Sequence, residues 1–325
     1  MYSLKDISVI IPTYNRSKDL DETLKNLTLF SKKICQVIII DQSKNNESRK
    51  IVSKYAKSIS NIEYIYSSVP SITIARNLGV NKLSNKTRLV CFIDDDVTLD
   101  KNYFEEILKI FNNYSGAKAV AGYVPSPELR KMPFIEVFLR RLFFISFGEK
   151  DRARMISAYG NTYPSTLTKV INSHWIPGVN MVYKREIFKE QQFDENLLGY
   201  TVAEDIDFSY RIFKKYPQSV FITPYAKLIH RVSNVERAPT AKMSYINQVD
   251  HFYFQYKNMV GLKQKFIFEW SLLGIAILRG LKMLITRRKE DYLKLKYFLI
   301  SLKYCLIERN KIKKGLVREF PQNIV

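Results

Sequence analysis

The first 125 residues alternate short apolar runs with amphipathic segments. Residues 7–11 are almost continuously apolar and stop at Pro12, which is the pattern of a strand covered on both faces. Further strands are predicted at residues 36–40, 62–66, 88–93 and 119–123. The segments between them carry apolar residues at helical spacing, as Leu20, Leu24 and Leu27 do. Strands that alternate with helices predict right-handed βαβ units and a mostly parallel α/β sheet flanked by helices.

The pattern is less regular between residues 125 and 170 and resumes at Trp175. Pro177-Gly178 predicts a turn. A strand near 181–183, a helix from about 204 to 216 and short strands near 219–222 and 226–229 are predicted to follow. Beyond about residue 242 the sequence becomes a Tyr-, Phe- and Lys-rich helical pattern. We therefore predict an α/β domain at 1–240 and a basic, aromatic-rich, amphipathic helical extension at 241–325.

Three groups of polar residues come directly after the predicted strands one, two and four. They are Thr13-Tyr14-Asn15-Arg16, Asp41 and Asp94-Asp95-Asp96. In parallel sheets, ligands bind beyond the carboxyl ends of the strands. The three groups fall at this edge, so the sequence predicts a binding site there.

The Asp94-Asp95-Asp96 triplet is the first candidate for chemistry. Adjacent carboxylates repel each other, and a bound cation or protonation relieves the repulsion. Asp94 and Asp96 are alternate residues at a strand end and can share a site. Oxygen ligands favour Mg²⁺ or Mn²⁺ shared with substrate phosphates. The alternative interpretation is a solvated turn or a helix cap.

Glu204 and Asp205 are the second candidate, because they begin a predicted helix. The helix dipole stabilises carboxylates at this position, so capping alone would account for them. The functional interpretation is that one of them reaches the substrate as a general base.

Three single positions complete the set of candidates. His230 ends a short apolar strand and is either a ligand or a structural histidine. Arg76 enters a helix and either contacts a diphosphate or lies on the surface. Gly178 lies in a turn where glycine allows the backbone to approach a ligand closely, or it serves the turn only.

The net charge indicates the kind of partner, and the cysteine content indicates the cellular compartment. The 325 residues include 52 Lys and Arg against 31 acids, a formal charge of +21, which implies an anionic partner. Cys35, Cys91 and Cys305 are far apart in the sequence and form no metal or redox motif. Scattered thiols fit a reducing compartment. The sequence start does not resemble a secretory signal, and no run is long and uncharged enough to span a membrane. We expect a cytoplasmic protein.

The extension carries much of the excess charge, with 16 Lys or Arg and 4 acids in residues 257–318. Its apolar stretch at 266–285 is interrupted by Glu269, Arg279 and Lys282. Apolar and basic residues then alternate at helical spacing to about residue 306. This pattern predicts an interfacial helix on an anionic membrane surface, with residues 134–147 as a second contact. The alternative is packing on the first domain or on a second subunit, as in a homodimer.

Taken together and in order, these residues resemble the inverting family 2 glycosyltransferases, which have the GT-A fold. The matches span residues 7 to about 231. They are 8–16 (SVIIPTYNR), Ile40-Asp41, 75–79 (ARNLG), 92–96 (FIDDD), 177–180 (PGVN), Glu204-Asp205 and His230. One departure is Val97, where many relatives continue the acidic motif.

The resemblance implies roles for the matched residues. Thr13 and Asp41 would hold the nucleobase of a nucleotide-sugar donor, UDP-linked by preference, and Arg76 would lie near its diphosphate. Asp94 would face the nucleotide, Asp96 would bind Mn²⁺ or Mg²⁺, and Gly178 would line the sugar and acceptor cleft. Asp205 would be the catalytic base. His230 would add a metal or diphosphate contact. Tyr14, Asp95 and Glu204 are further substrate-binding candidates from the matched blocks.

Membrane association of the extension would make the acceptor a lipid-linked glycan or surface-polysaccharide precursor, with the protein peripheral at the cytoplasmic face of the membrane. Three alternatives stay open. A nucleotidyltransferase shares a related sheet, but usually has a Gly-rich loop after the first strand. A nucleic-acid-binding protein fits the charge and the 21 Tyr and 20 Phe, but leaves the aspartates unexplained, so we expect no nucleic acid partner. A relative that only binds is opposed by Asp94, Asp96 and Asp205.

Overall fold

The computed structural model of the protein describes residues 1–125, 132–233, 235 and 239–316. The strands are β1 Ile7–Thr13, β2 Gln36–Asp41, β3 Ile62–Tyr66, β4 Leu89–Ile93, β5 Val97–Leu99, β6 Ala119–Gly122, β7 Phe147–Glu149, β8 Thr162–Pro164, β9 Ile171–Asn172, β10 Asn180–Lys184, β11 Val220–Thr223 and β12 Leu228–His230. Short 3₁₀ helices lie at Leu4–Asp6, Thr28–Phe30 and Arg185–Lys189.

The helices of the described residues are α1 Ser17–Leu27, α2 Glu47–Tyr55, α3 Ile72–Asn81, α4 Tyr103–Asn113, α5 Phe134–Leu142, α6 Glu204–Lys215, α7 Thr240–Asn258, α8 Leu262–Thr286, α9 Lys289–Ile307 and α10 Arg309–Lys313.

Within the described part of the chain, eight strands form one sheet in the order β3-β2-β1-β4-β10-β6-β11-β9. β3, β2, β1 and β4 are parallel neighbours, whereas β10 pairs antiparallel with both β4 and β6, and β9 is antiparallel to β11. The sheet is therefore mostly parallel, as predicted. The register aligns Thr13 with Asp41, and Asp41 with Tyr66. The polar residues after β1 and β2 consequently lie side by side at one edge.

The continuous apolar strands are buried on both faces, as their sequence predicts. Every residue of β1 and β4 is buried. Val9 and Ile11 join α1 residues such as Leu24 in one cluster. On the other face Ile10 contacts α3, where a Cβ on Gly79 would lie 2.6 Å from Ile10 Cγ2. The glycine thus lets α3 pack directly on the sheet.

The sequence did not predict a separate two-stranded sheet formed by β5 and β12. β5 pairs antiparallel with β12, which brings His230 opposite Val97. β12 begins at Leu228, two residues later than the predicted strand, and it includes His230. The chain segment that follows the aspartate triplet is therefore fixed to the segment that ends in His230.

The described chain divides into two compact units. Unit 1 contains Met1–Val124, Leu167–Glu195 and Glu204–Arg237, and unit 2 contains Pro125–Thr166, Asn196–Ala203 and Ala238–Val325. The division predicted near residue 240 differs from this, because unit 2 includes two earlier segments. One reason is local packing within unit 2: Trp270 Nε1 donates to Leu142 O at 2.9 Å, and its ring lies 5.3 Å from that of Phe143.

Unit 2 is built mainly of helices. The long helical pattern predicted from about 266 to 306 is two helices, because α8 ends at Thr286 and α9 begins at Lys289. Arg287 lies between them with φ 51°, in the left-handed region. Asp291 in the first turn of α9 accepts a hydrogen bond from Thr286 Oγ1 at 2.7 Å. Among the described helices, none combines the length and the apolar composition needed to cross a membrane.

Candidate active site

The three aspartates between β4 and β5 have different surroundings. Asp95 is buried, its Oδ2 accepts a hydrogen bond from Thr13 Oγ1 at 2.7 Å, and its Oδ1 lies 3.5 Å from Arg16 Nη1. Burial raises the pKa of Asp95 to about 7, although the Thr13 hydroxyl and the Arg16 guanidinium oppose the shift. Thr13 and Asp95, both predicted to contact the donor, are thus bonded to each other.

Asp94, Asp96 and His230 come together at the sheet edge. Their ligand atoms lie within 4.8 Å of one another. Asp96 Oδ1 is 3.2 Å from His230 Nε2, and Asp96 Oδ2 accepts a hydrogen bond from the Ser233 N–H at 2.9 Å. The three predicted metal ligands are therefore neighbours in the fold.

The pKa values of Asp94 and Asp96 are shifted in opposite directions. Burial raises the pKa of Asp94 to about 6, with the charge of Asp96 adding to the shift and the Arg76 guanidinium opposing it. Burial would also raise the pKa of Asp96, but His230 and the Ser233 N–H outweigh it and hold that pKa below its usual value. Asp96 is the carboxylate that stays ionised most readily.

The residues present fit a divalent cation. Asp96 Oδ1 is buried, and among the described residues no donor makes a well-directed hydrogen bond to it. Two ligands of an ion at about 2.1 Å lie at most about 4.2 Å apart, so small side-chain movements would bring all three donors onto one ion. Two carboxylates with one imidazole suit Mn²⁺, and they accommodate Mg²⁺ less directly because Mg²⁺ prefers oxygen.

Asp205 lies in the first turn of α6. Its Oδ2 accepts a hydrogen bond from the Gly178 N–H at 2.6 Å, and its Oδ1 accepts one from the Ile206 N–H at 2.7 Å. Burial and the neighbouring charge of Glu204 raise the pKa of Asp205, against the opposing effects of Arg76 and the two N–H groups. A carboxylate with a raised pKa is better suited to accept a proton near neutral pH than an ordinary aspartate.

Gly178 allows the Pro177-Gly178 turn to approach the Asp205 side chain. A Cβ at this position would lie 3.1 Å from Asp205 Oδ2 and 3.2 Å from Arg76 Nη2. A larger residue would therefore displace the carboxylate or the guanidinium. The glycine therefore lets the turn lie close to Asp205 and Arg76, and its approach to a ligand stays a prediction.

Arg76 on α3 connects the two halves of the site. Its guanidinium donates from Nη1 to Glu204 Oε1 at 2.9 Å, and its Nη2 lies 3.8 Å from Asp94 Oδ1. The side chain is 2% exposed, and the guanidinium also lies over the Phe193 ring at 5.2 Å. Arg76 was predicted to contact a diphosphate. In the structure its guanidinium contacts carboxylates of the protein itself, and a contact with a diphosphate stays a prediction.

Asp41 is the last residue of β2, and Tyr14 directly follows β1. Asp41 is fully buried, with Oδ1 accepting from the Ser43 N–H at 2.9 Å and Oδ2 from Tyr64 Oη at 2.8 Å. Asn15, with φ 54°, accepts from the Lys44 N–H at 3.1 Å and ties the two strand ends together. Tyr14 is half-buried in this loop. Both residues lie at the predicted edge, but Asp41 already has two donors.

With this geometry established, the comparison with protein families decides the assignment. Residues 8–192 match the model of glycosyl transferase family 2. The chain belongs to glycosyl transferase family 2. The match covers β1, the aspartate triplet, Arg76 and Gly178, and it confirms the resemblance that these motifs carried in the sequence.

The curated relative GlyA of Streptococcus pneumoniae serotype 4 is a glycosyltransferase 26% identical over 195 residues, which are 59% of this chain and 26% of GlyA. The chain spans less than half the length of the curated relatives it matches.

Solved structures establish the fold. The mannosyltransferase PcManGT from Pyrobaculum calidifontis, in complex with GDP-Man and Mn²⁺, is 13% identical with a TM-score of 0.55, covering 93% of this chain and 87% of that one. S. aureus TarS 1-349 in complex with UDP-GlcNAc is 14% identical with a TM-score of 0.54, covering 96% and 88%. The predicted GT-A fold of the family 2 chain is confirmed.

Two residues that support the family 2 site were missed in the sequence. Thr23 on α1 donates to Asp95 O at 2.6 Å, and Arg231 Nη2 donates to Thr23 Oγ1 at 2.8 Å. The Arg231 N–H also donates to Asp96 O at 2.9 Å. Together they hold the backbone of the aspartate triplet. The sequence offered a signal for each residue. Thr23 is a polar residue on the otherwise apolar face of α1, and Arg231 directly follows His230.

Asn180 of the 177–180 motif also has a structural role. Its Oδ1 accepts from the Gly122 N–H at 2.6 Å and from Tyr103 Oη at 2.9 Å, and its Nδ2 donates to Gly122 O at 3.2 Å. The side-chain amide thereby joins β10 to β6 where both strands approach the site. This explains an asparagine in the motif without requiring a contact to substrate.

Proposed function

We propose that this protein transfers a sugar from a nucleoside-diphosphate sugar to an acceptor hydroxyl with inversion of the anomeric configuration, and that it requires Mn²⁺ or Mg²⁺. The observation that carries the proposal is the convergence of Asp94, Asp96 and His230 at the sheet edge where Arg76 links Asp94 to Glu204. Asp205, the proposed catalytic base, directly follows Glu204 in the chain. Family membership and the GT-A fold support the same reaction class.

Asp94, Asp96 and His230 would hold the metal ion. Bound there, the ion would neutralise charge on the diphosphate leaving group. The donor is UDP-linked by preference in this proposal. Thr13, Tyr14 and Asp41 are proposed for the nucleobase end of the donor, because they follow β1 and β2 at the same edge. Asp41 is fully buried, so nucleobase binding by its carboxylate would require the residues around it to move.

Asp205 is the proposed catalytic base. Its carboxylate takes the proton from an acceptor hydroxyl as the hydroxyl oxygen attacks the anomeric carbon from the face opposite the diphosphate. The bond from that carbon to the diphosphate oxygen breaks as the new one forms. The N–H groups of Gly178 and Ile206 orient the carboxylate, and its raised pKa fits a proton acceptor near neutral pH. Arg76 acts as a positioning residue, since it holds Glu204 and Asp94.

The acceptor is proposed to be a lipid-linked glycan or a surface-polysaccharide precursor, used by a peripheral protein at the cytoplasmic face of the membrane. The support is the basic, apolar extension, which would place the enzyme where such acceptors are found. The nucleotidyltransferase and nucleic-acid-binding alternatives gain no support from the family match.

A thermal-shift panel tests the donor and the metal together. UDP-, GDP-, dTDP- and CMP-linked sugars are added with and without Mn²⁺ to the wild type, to Asp96→Asn and to a control, Asp21→Asn, whose carboxylate pairs with Lys54 on the surface. A ligand at 100 times its Kd stabilises by about 2.7 kcal/mol, or roughly 5–10 °C for a unit of this size.

The expected result is a metal-dependent shift with one nucleotide class that is lost in Asp96→Asn and kept in the control. Transfer by Asp205→Asn should then be about 10²- to 10⁴-fold slower, with the donor-induced shift retained. If no nucleotide sugar shifts the melting temperature at saturation, the donor site is wrong. If Asp205→Asn transfers at the wild-type rate, another residue is the base.

A further inference from the structure

The outer face of α8 is an exposed apolar stripe. It consists of Leu262, Phe266, Leu273, Ile277, Leu281 and Leu284, whose exposures are 87%, 63%, 49%, 39%, 42% and 65%. Their spacings of three, four or seven residues place them on one side of a helix. The opposite side is buried within unit 2 through residues such as Phe268 and Leu272. α8 therefore has two apolar faces, of which only one is covered in the described part of the chain.

α5 extends this surface. Phe134, Ile135, Phe138 and Leu142 lie at helical spacing and are 86%, 62%, 52% and 49% exposed. The end of α5 is attached to α8 through the hydrogen bond from Trp270 Nε1 to Leu142 O. The contact is close because Gly274 has no side chain: a Cβ there would lie 2.3 Å from Phe143 Cβ. Exposed apolar patches that extend beyond single residues mark interaction sites.

The net charge of the segment that contains α8 favours an anionic partner. Residues 257–318 carry a net charge of +12, from 16 bases and 4 acids. Each of the four acids forms an ion pair with a lysine of the same segment: Glu269 with Lys265, Asp291 with Lys282, Glu290 with Lys294 and Glu308 with Lys311. The segment as a whole stays strongly positive and attracts an anionic surface. A second copy of the chain would bring the same positive charge against it and be repelled.

The helix has the features of an interfacial segment and not of a spanning one. α8 has 25 residues, which correspond to about 37 Å, and it carries Lys263 and Lys265 in its first turn, whose side chains can reach water or phosphate. Trp270 lies beside the stripe and stacks on Phe266 with 6.4 Å between ring centroids, and tryptophan rings settle at the headgroup level of a bilayer. Apolar residues on one face and lysines beside them are typical of helices that lie in the membrane plane.

We infer that the outer face of α8, with the exposed residues of α5, docks on an anionic phospholipid bilayer and lies in its headgroup region. This deepens and rests on the peripheral location in the proposed function, but it does not depend on the proposed chemistry. It assigns the contact to the outer face of α8 and the exposed residues of α5, whereas the sequence indicated an interfacial helix and a second contact at 134–147 without naming a face.

Vesicle flotation tests the inference on the full chain without any donor. Wild type is compared with Leu273→Glu and with Leu281→Glu, and Leu29→Glu is the matched control because Leu29 is 62% exposed in unit 1. Wild type and the control should float with vesicles of phosphatidylcholine and phosphatidylglycerol, and far less with phosphatidylcholine alone. Each α8 variant should partition roughly tenfold or more weakly, since it removes an apolar contact and adds a negative charge.

Tryptophan fluorescence gives a second readout. The chain has two tryptophans, and Trp175 is 9% exposed, so quenching by brominated lipid should come from Trp270 and disappear in Trp270→Phe. The inference is overturned if wild type does not float, if both α8 variants float like the control, or if Trp270 is not quenched. It is also overturned if wild type without vesicles sediments as a dimer that Leu273→Glu converts to a monomer, because the partner is then a second copy. By contrast, the absence of a donor-induced thermal shift in the wild type would count against the proposed function and not against the membrane contact.

Discussion

Replacing Arg76 by methionine should destabilise unit 1 strongly. The guanidinium is 2% exposed, and its partner Glu204 is 10% exposed at the side chain, with 2.9 Å between Nη1 and Oε1. Methionine keeps much of the volume of the arginine stem but removes the charge. Glu204 would then be left in a buried position with its closest cation gone.

The magnitude follows from the burial of the pair. Breaking a buried ion pair by removing one partner costs about 3–5 kcal/mol, because the remaining charge is uncompensated. Such a loss is a large share of the total stability of a domain. Glu204→Gln should cost less, since the amide oxygen can still accept from Arg76 and Asp94 remains 3.8 Å from Nη2. The double variant should cost less than the sum, by about 0.5–3 kcal/mol of coupling.

Urea unfolding should be measured in a Trp270→Phe background. Trp175 lies in unit 1 with Arg76, and Trp270 lies in unit 2, so the remaining fluorescence reports the unit that carries the substitution. This matters because a chain with two units need not unfold in a single transition. The free energy of unfolding is obtained by linear extrapolation for the background, the two single variants and the double variant.

Arg88→Met is the control. Arg88 is 52% exposed and lies 3.5 Å from Asp6 Oδ1, and an exposed pair of this kind contributes about 0–1 kcal/mol. If Arg76→Met lowers the unfolding free energy no more than Arg88→Met does, the account of Arg76 as the buried link between Asp94 and Glu204 is refuted. Full additivity of Arg76→Met and Glu204→Gln would refute the direct pairing.

Three further outcomes are expected from the same structure. Because the pKa of Asp205 is raised and a base must be deprotonated, kcat/KM should fall as the pH drops through that raised value, and an acid limb at or below about pH 4 would contradict the assignment. His230→Ala should weaken Mn²⁺ binding by about tenfold or more in an electron paramagnetic resonance titration, and unchanged affinity would remove His230 from the site. Gly122→Ala should destabilise by about 1–3 kcal/mol or more in urea unfolding, because its Cβ would lie 2.2 Å from Ala226 O, whereas Gly116→Ala, with no atom within 4 Å, should be neutral or slightly stabilising.

The parallel half of the sheet was predictable because its strands are buried on both faces. β1 and β4 are apolar throughout, and a covered strand leaves that signature whatever packs on it. The position of the aspartate triplet followed from β4 alone. β5, at Val97–Leu99, was missed because three residues are too few for a periodic pattern, and its pairing partner β12 lies about 130 residues away.

The inward orientation of Arg76 was not predictable from local sequence. An arginine on a short helix is ordinarily exposed, and its ion-pair partner Glu204 is 128 residues further along the chain. The same holds for Asp41, whose hydroxyl partner Tyr64 is supplied by the neighbouring strand β3. Local patterns locate polar residues at the edge of the sheet, but the choice between a ligand and a partner within the protein depends on tertiary packing.

Three adjacent carboxylates can share one sheet edge because each has a different neighbour. Asp95 is bonded to the Thr13 hydroxyl at 2.7 Å, and Asp96 is held by His230 and by the Ser233 N–H. Asp94 has the longest cation contact, 3.8 Å to Arg76, and at 29% its side chain is the most exposed of the three. Repulsion within the triplet is therefore relieved mainly at Asp95 and Asp96. Because its side chain is the most exposed of the three, Asp94 is the carboxylate that we propose receives a cation brought in with a diphosphate.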